Sequence, residues 1–107
     1  MKKWDNPKTE KLIEAILALK SQKEAKMFLR DLLTEKELVE FGNRWKAVQM
    51  LDEKIPYVRI EKETGLSSTT VARISKWLQG GEGGYKLMLK RLANHHRASS
   101  YSGKRLI

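Results

Sequence analysis

No cysteine occurs among the 107 residues, which excludes a disulfide framework and any thiolate metal site. No apolar stretch approaches the roughly 18 residues that a membrane-spanning helix needs. The best candidate, Leu12 to Leu19, is interrupted by Glu14 and preceded by acids as well as lysines, so it does not read as a secretory leader either. These absences predict a cytoplasmic protein without a membrane partner. Histidine is confined to His95 and His96. Adjacent positions point to different sides of a helix, and no further His, Cys or suitably spaced carboxylate joins them, so no metal site is expected. A Ser/His/Asp or Cys/His arrangement and a pair of catalytic carboxylates are equally missing. Glu35 and Glu37 are better explained by the electrostatics of a helix start, and no enzyme is expected.

Negative charge is scarce in the second half. Residues 56–107 carry 10 Lys and Arg against 3 Asp and Glu, whereas residues 1–55 carry 12 against 10, within a net charge of +9. Such an excess suits neutralisation of nucleic-acid phosphates, although solubility, RNA or acidic lipid would draw on the same charge. The length fits one domain, residues 1–95, with a flexible basic tail at 96–107. In that tail Arg97 to Ile107 has three cations, no acid and no apolar period.

What is present is helical punctuation. Asn6 followed by Pro7 predicts a capped helix to about Lys20, with Leu12, Ile16 and Leu19 on one stripe. Ser21 with Glu24 and Thr34 with Glu37 are capping boxes, in which the hydroxyl accepts the third helical amide and the glutamate reaches back to the cap's own amide. They predict a second helix with Ala25, Phe28, Leu29, Leu32 and Leu33 inward, and a long third helix from about Glu35 to Glu53. Leu38, Phe41, Trp45, Val48 and Leu51 line that third helix, broadened by Val39, Ala47 and Met50.

Residues 56–78, PYVRIEKETGLSSTTVARISKWL, have the layout of a helix-turn-helix. Tyr57 to Glu63 form one helical pattern, Gly65 supplies a positive φ for the reversal, and a second pattern runs to Leu78. Ile60, Leu66, Val71 and Ile74 face a shared core. The other face of the second helix carries Ser68, Thr69, Ala72, Arg73 and Lys76, short hydroxyls and cations that suit a DNA groove. An ordinary helical hairpin would use the same glycine, so these residues alone leave a structural helix pair open. Beyond them, Gly80 to Gly84 reads as a hinge, and Tyr85, Met88, Leu89 and Leu92 form one face of a last helix to about His95.

Order, spacing and residues together resemble the Trp repressor superfamily, most closely its small YerC/YecD-type branch of Trp-repressor-like proteins, over about Leu33 to Leu92. The carrying residues are LTEKELVEFGNRW, Leu33 to Trp45, and TGLSSTTVARI, Thr64 to Ile74. The resemblance implies an all-α, six-helix fold and an intertwined homodimer that presents two helix-turn-helix heads to successive major grooves, roughly 34 Å apart. It also implies an effector pocket at Thr34, Arg44 and Arg73, the positions that surround the amino acid in the tryptophan-binding member. Ile74 stands where that member has glycine, and Trp77 where it has a serine that contacts the ligand. An isoleucine there should occupy indole space and Trp77 could fill the remainder, so no tryptophan cofactor is expected; a different small ligand stays open.

The expected function is that of a sequence-specific transcriptional regulator of double-stranded DNA, most simply a dimeric repressor of a palindromic operator. Ser68, Thr69, Thr70 and Arg73 would lie at base edges, with Arg59, Lys62 and Lys76 on phosphates and Ser67 also counted among the DNA-binding residues. The alternative is a nonspecific nucleic-acid-binding or architectural protein, against which the hydroxyl-rich recognition helix argues.

Overall fold

The computed structural model describes residues 2–94; the expected basic tail and the His95–His96 pair lie outside the described residues. Six helices and no strand occur among them. They are α1 (Pro7–Ala18), α2 (Gln22–Leu32), α3 (Glu35–Asp52), α4 (Tyr57–Thr64), α5 (Ser68–Gly80) and α6, residues 84–94.

The predicted caps set the helix starts. Asn6 Oδ1 accepts from the Thr9 amide at 3.0 Å, with Pro7 in the first turn. Ser21 Oγ accepts from the Glu24 amide at 3.1 Å. Here the reciprocal bond differs from the expectation: Glu24 Oε1 accepts from the Lys20 amide at 2.8 Å instead of that of Ser21. The Leu19 amide still bonds to the Ile16 carbonyl at 3.2 Å, so Lys20 offers the first donor of the link that α1 leaves over. At α3 the box closes as expected, with Thr34 Oγ1 accepting from the Glu37 amide at 3.1 Å and Glu37 Oε1 from the Thr34 amide at 2.9 Å.

The chain forms two compact units that divide between Val39 and Glu40, within α3. In the first unit, α1 and α2 bury no residue completely. Leu12, Phe28 and Leu29 are half-buried, but Leu32, expected inward, is 47% exposed and Leu17 is 79% exposed. The second unit holds the core: Ala47, Val48 and Met50 of α3, Ile60 of α4, and Val71 and Ile74 of α5. Trp45, Leu51, Ile55, Leu66 and Leu78 pack around it, and α6 joins through Tyr85 and Leu89. Phe41, expected on the same stripe of α3, is instead 45% exposed.

The start of α3 carries a pH dependence. The Thr34 amide first, and its hydroxyl second, hold the Glu37 carboxyl below its ordinary value of 4.5. A carboxyl lowered by folding stabilises fully above its unfolded value and loses that contribution as pH falls through the folded one. An NMR titration should therefore place the Glu37 midpoint below 4.5, and Thr34→Ala should move it part of the way back while lowering the urea midpoint at neutral pH. An unmoved Glu37 midpoint in Thr34→Ala would disprove the role given to the hydroxyl.

Candidate DNA interface

Two short helices with one αL residue between them need little sequence to reverse direction. α4 ends at Thr64, and Gly65 takes φ 76°, its amide donating to the Glu61 carbonyl at 2.8 Å. One buried hydroxyl secures both sides of this turn. Thr64 Oγ1 donates to the Ile60 carbonyl at 2.7 Å and accepts from the Leu66 amide at 3.2 Å. Ser67 then caps α5, accepting from the Thr70 amide at 3.1 Å and donating to Thr70 Oγ1 at 3.0 Å.

Packing decides which way α5 faces. Val71 and Ile74 are completely buried with Ile60 and Val48, and Ser75 is 7% exposed on the same side. At 3.6 residues per turn, Ser68, Thr69, Ala72, Arg73 and Lys76 occupy an opposite arc of about 140°, and all five are exposed. Among the described residues, no hydrogen bond or ion pair engages Ser68, Thr69, Arg73 or Lys76 through its side chain. The helix contains no acid.

The other expected contacts fall differently. Thr70 is half-buried and turned away from that arc, and together with Ser67 it is occupied in the cap. Arg59 is exposed on α4 but its Nε lies 3.5 Å from Glu63 Oε1. An exposed pair of this kind is worth on the order of 0.5 kcal/mol or less, so a phosphate can displace the glutamate. Lys62 is exposed on the same helix.

At the expected effector positions, each side chain already has an occupation or an outlook of its own. Thr34 caps α3. Arg44 Nη2 donates to Glu40 Oε2 at 2.8 Å, its guanidinium lies 5.5 Å from the Phe41 ring centre, and its buried Nε has no partner. Arg73 belongs to the exposed arc of α5. Ile74 spends its side chain inside the core, whereas Trp77 is 46% exposed. Sequence spacing gave no sign of a cleft of about 290 Å³ beside Ser75, Leu78 and Gln79 of α5, which takes in none of Thr34, Arg44 and Arg73.

Among the described residues no helix is long and apolar enough to cross a membrane, and no group of three His, Cys, Asp or Glu could hold a metal ion.

Helices alone among the described residues, with a helix-turn-helix layout that presents hydroxyls and cations on its second helix, make the arrangement found in DNA-binding regulators. The chain is a member of the Trp repressor family: the family described as Trp repressor protein matches residues 7–93. It is 34% identical to the uncharacterized protein YerC of Bacillus subtilis (strain 168) over 91 residues, 85% of this chain and 88% of YerC. The solved TrpR-like protein from Eubacterium eligens ATCC 27750 superposes at a TM-score of 0.81 with 34% identity, over 85% of this chain and 94% of its own. A solved chain from Staphylococcus aureus matches at 0.79 with 31% identity, over 85% and 91% respectively.

The Thr64 hydroxyl offers a direct check on the turn. Thr64→Val keeps the shape but strands the Leu66 amide, and should cost about 1–3 kcal/mol in urea unfolding. A loss indistinguishable from zero would mean that Gly65 and the buried isoleucines hold the turn unaided.

Proposed function

We propose that this protein is a cytoplasmic, dimeric transcriptional regulator that reads a two-fold symmetric operator through the major groove and represses by occluding promoter DNA. The observation that carries the reading is the exposed, acid-free arc of Ser68, Thr69, Ala72, Arg73 and Lys76, opposite the fully buried Val71 and Ile74. On this reading Arg73 pairs with guanine and Thr69 meets a thymine methyl, while Lys76, Lys62 and an Arg59 released from Glu63 take phosphates. Ile74 supports a head that is set without tryptophan, because its side chain already fills the core beneath α5.

Selection of bound duplexes from a random pool tests this reading, with and without tryptophan. A symmetric site with half-sites about one DNA turn apart is expected, with no tryptophan dependence. Arg73→Ala should relax discrimination at one base position by about 1–3 kcal/mol. Lys76→Ala should weaken all duplexes alike and lower the salt slope by about one unit. Equal losses on operator and random DNA for both variants would favour a nonspecific binder.

The dimer follows from surfaces that one chain leaves open. Ile13, Ile16 and Leu17 of α1, Met27 and Leu32 of α2, and Val39 and Phe41 of α3 are each 43–79% exposed, more apolar surface than a soluble monomer ordinarily displays. Gly42 adds an independent sign. A Cβ there would meet nothing within 4 Å, yet glycine inside a helix costs about 1 kcal/mol relative to alanine. Room for a neighbouring backbone is the reason we assign. Gly42→Leu should convert the dimer to monomer in analytical ultracentrifugation, whereas a higher unfolding temperature with unchanged mass would show that no second chain approaches α3 there.

A further inference from the structure

The cleft beside the C-terminal half of α5 is walled by α3, the turn after it, α4 and α5. Leu51 of α3 and Ile55 of the following turn form its apolar wall with Pro56 and Leu78. Its volume, about 290 Å³, lies at the small end of ligand sites.

Each polar side chain on its walls, Lys54, Tyr57, Ser75 and Gln79, can donate, and no carboxylate is among them. Ser75 is 93% buried by its 7% exposure, and its Oγ accepts from Gln79 Nε2 at 3.4 Å. The serine proton is therefore uncommitted, as are the Tyr57 hydroxyl and the Lys54 ammonium. Lys54 holds φ 63°, the left-handed region where glycine is favoured and a side chain is strained. That conformation closes the C-terminus of α3, the Lys54 amide donating to the Leu51 carbonyl and the Ile55 amide to the Met50 carbonyl, each at 3.0 Å. The positive end of α4 adjoins the same cleft: its N-cap is Pro56, which offers no side-chain acceptor to the first amides.

We propose that this cleft binds a small organic monocarboxylate with a short aliphatic or aromatic body, and that its occupancy alters DNA affinity. The carboxylate meets Lys54 and the Tyr57 and Ser75 hydroxyls, and the body covers Leu51, Ile55 and Leu78. A DNA phosphate fits less well, because a duplex backbone cannot bring a phosphodiester against a serine that is 7% exposed. The effect on DNA, unlike binding itself, rests on α5 being the DNA reader. Ser75 follows Ile74 directly, and Leu78 lies one turn beyond, so a ligand against them presses on the helix that carries Arg73.

The test titrates ¹⁵N-labelled protein, without DNA, with hexanoate and phenylacetate and with their neutral amides. Saturable shifts centred on Leu51, Ile55, Tyr57, Ser75 and Leu78 are expected for the carboxylates, with the amides about tenfold weaker or more. Lys54→Asn, which tolerates the left-handed backbone, and Ser75→Val should each weaken carboxylate binding by about tenfold while the remaining spectrum stays folded. Absent shifts, shifts equal for acid and amide, or shifts spread over the outer arc of α5 would overturn the site. So would a duplex that perturbs the cleft residues where the carboxylates do not, which would mark a phosphate contact. A second arm measures duplex affinity with and without saturating hexanoate at fixed ionic strength, where a change of about threefold or more is expected. Binding without that change would overturn the regulatory half alone. Failure to bind DNA in either condition would count against α5 as the reader and leave the cleft result standing.

Discussion

The closure of Ile60, Val71 and Ile74 over Ala47, Val48 and Met50 is the contact on which the proposed DNA-facing surface depends. Each fully buried isoleucine or valine contributes about 1.5–3 kcal/mol by leaving water, far more than any single exposed ion pair on α4 or α5. The hydrophobic side of α5 thus sets its rotation, and its polar side follows. Nothing on the outer arc has to hold the helix in place. That freedom leaves Ser68, Thr69, Arg73 and Lys76 without a bonding duty in the fold.

Hydroxyls illustrate how helix phase divides one residue type between two tasks. Thr64, Ser67 and Thr70 satisfy backbone amides at the turn and the cap, and Ser75 is buried. Ser68 and Thr69, next to them in sequence, fall on the exposed arc. The same logic separates the charges. α5 has cations and no acids, while α4 pairs Arg59 with Glu63 in a bond weak enough to be exchanged. A surface assembled in this way loses little internal energy when phosphates and base edges replace water.

Most of the local structure was legible because it is encoded within four residues. The Asn6, Ser21 and Thr34 caps and the αL conformation of Gly65 are short-range events with characteristic side chains. The alternation of core and surface on α5 was equally plain, since 3.6-residue spacing determines it. Thr70 was misplaced because a Ser/Thr run gives no hint of which hydroxyl will cap. Lys54 carries no sequence sign of its positive φ. The cleft escaped notice for a different reason: its walls come from residues 51 to 79, across three helices and a turn, and no spacing rule links them. Phe41 and Leu32 remained exposed because a helical stripe specifies an apolar face but not whether the same chain will cover it.

Specificity gives a reason for two heads that is independent of exposed apolar surface. On the proposed reading, one head offers base edges a single guanidinium, Arg73, and a pair of short hydroxyls, Ser68 and Thr69. A bidentate arginine–guanine pair discriminates by about 1–3 kcal/mol, and hydroxyl and methyl contacts add less. One head therefore commands on the order of a thousandfold preference, too little against roughly 10⁶ or more competing genomic sites. Two rigidly joined heads add their free energies and multiply their preferences, reaching roughly 10⁶ with the same few side chains. A recognition helix this sparing in base-reading groups is sufficient for a specific regulator only when it acts as one of a pair.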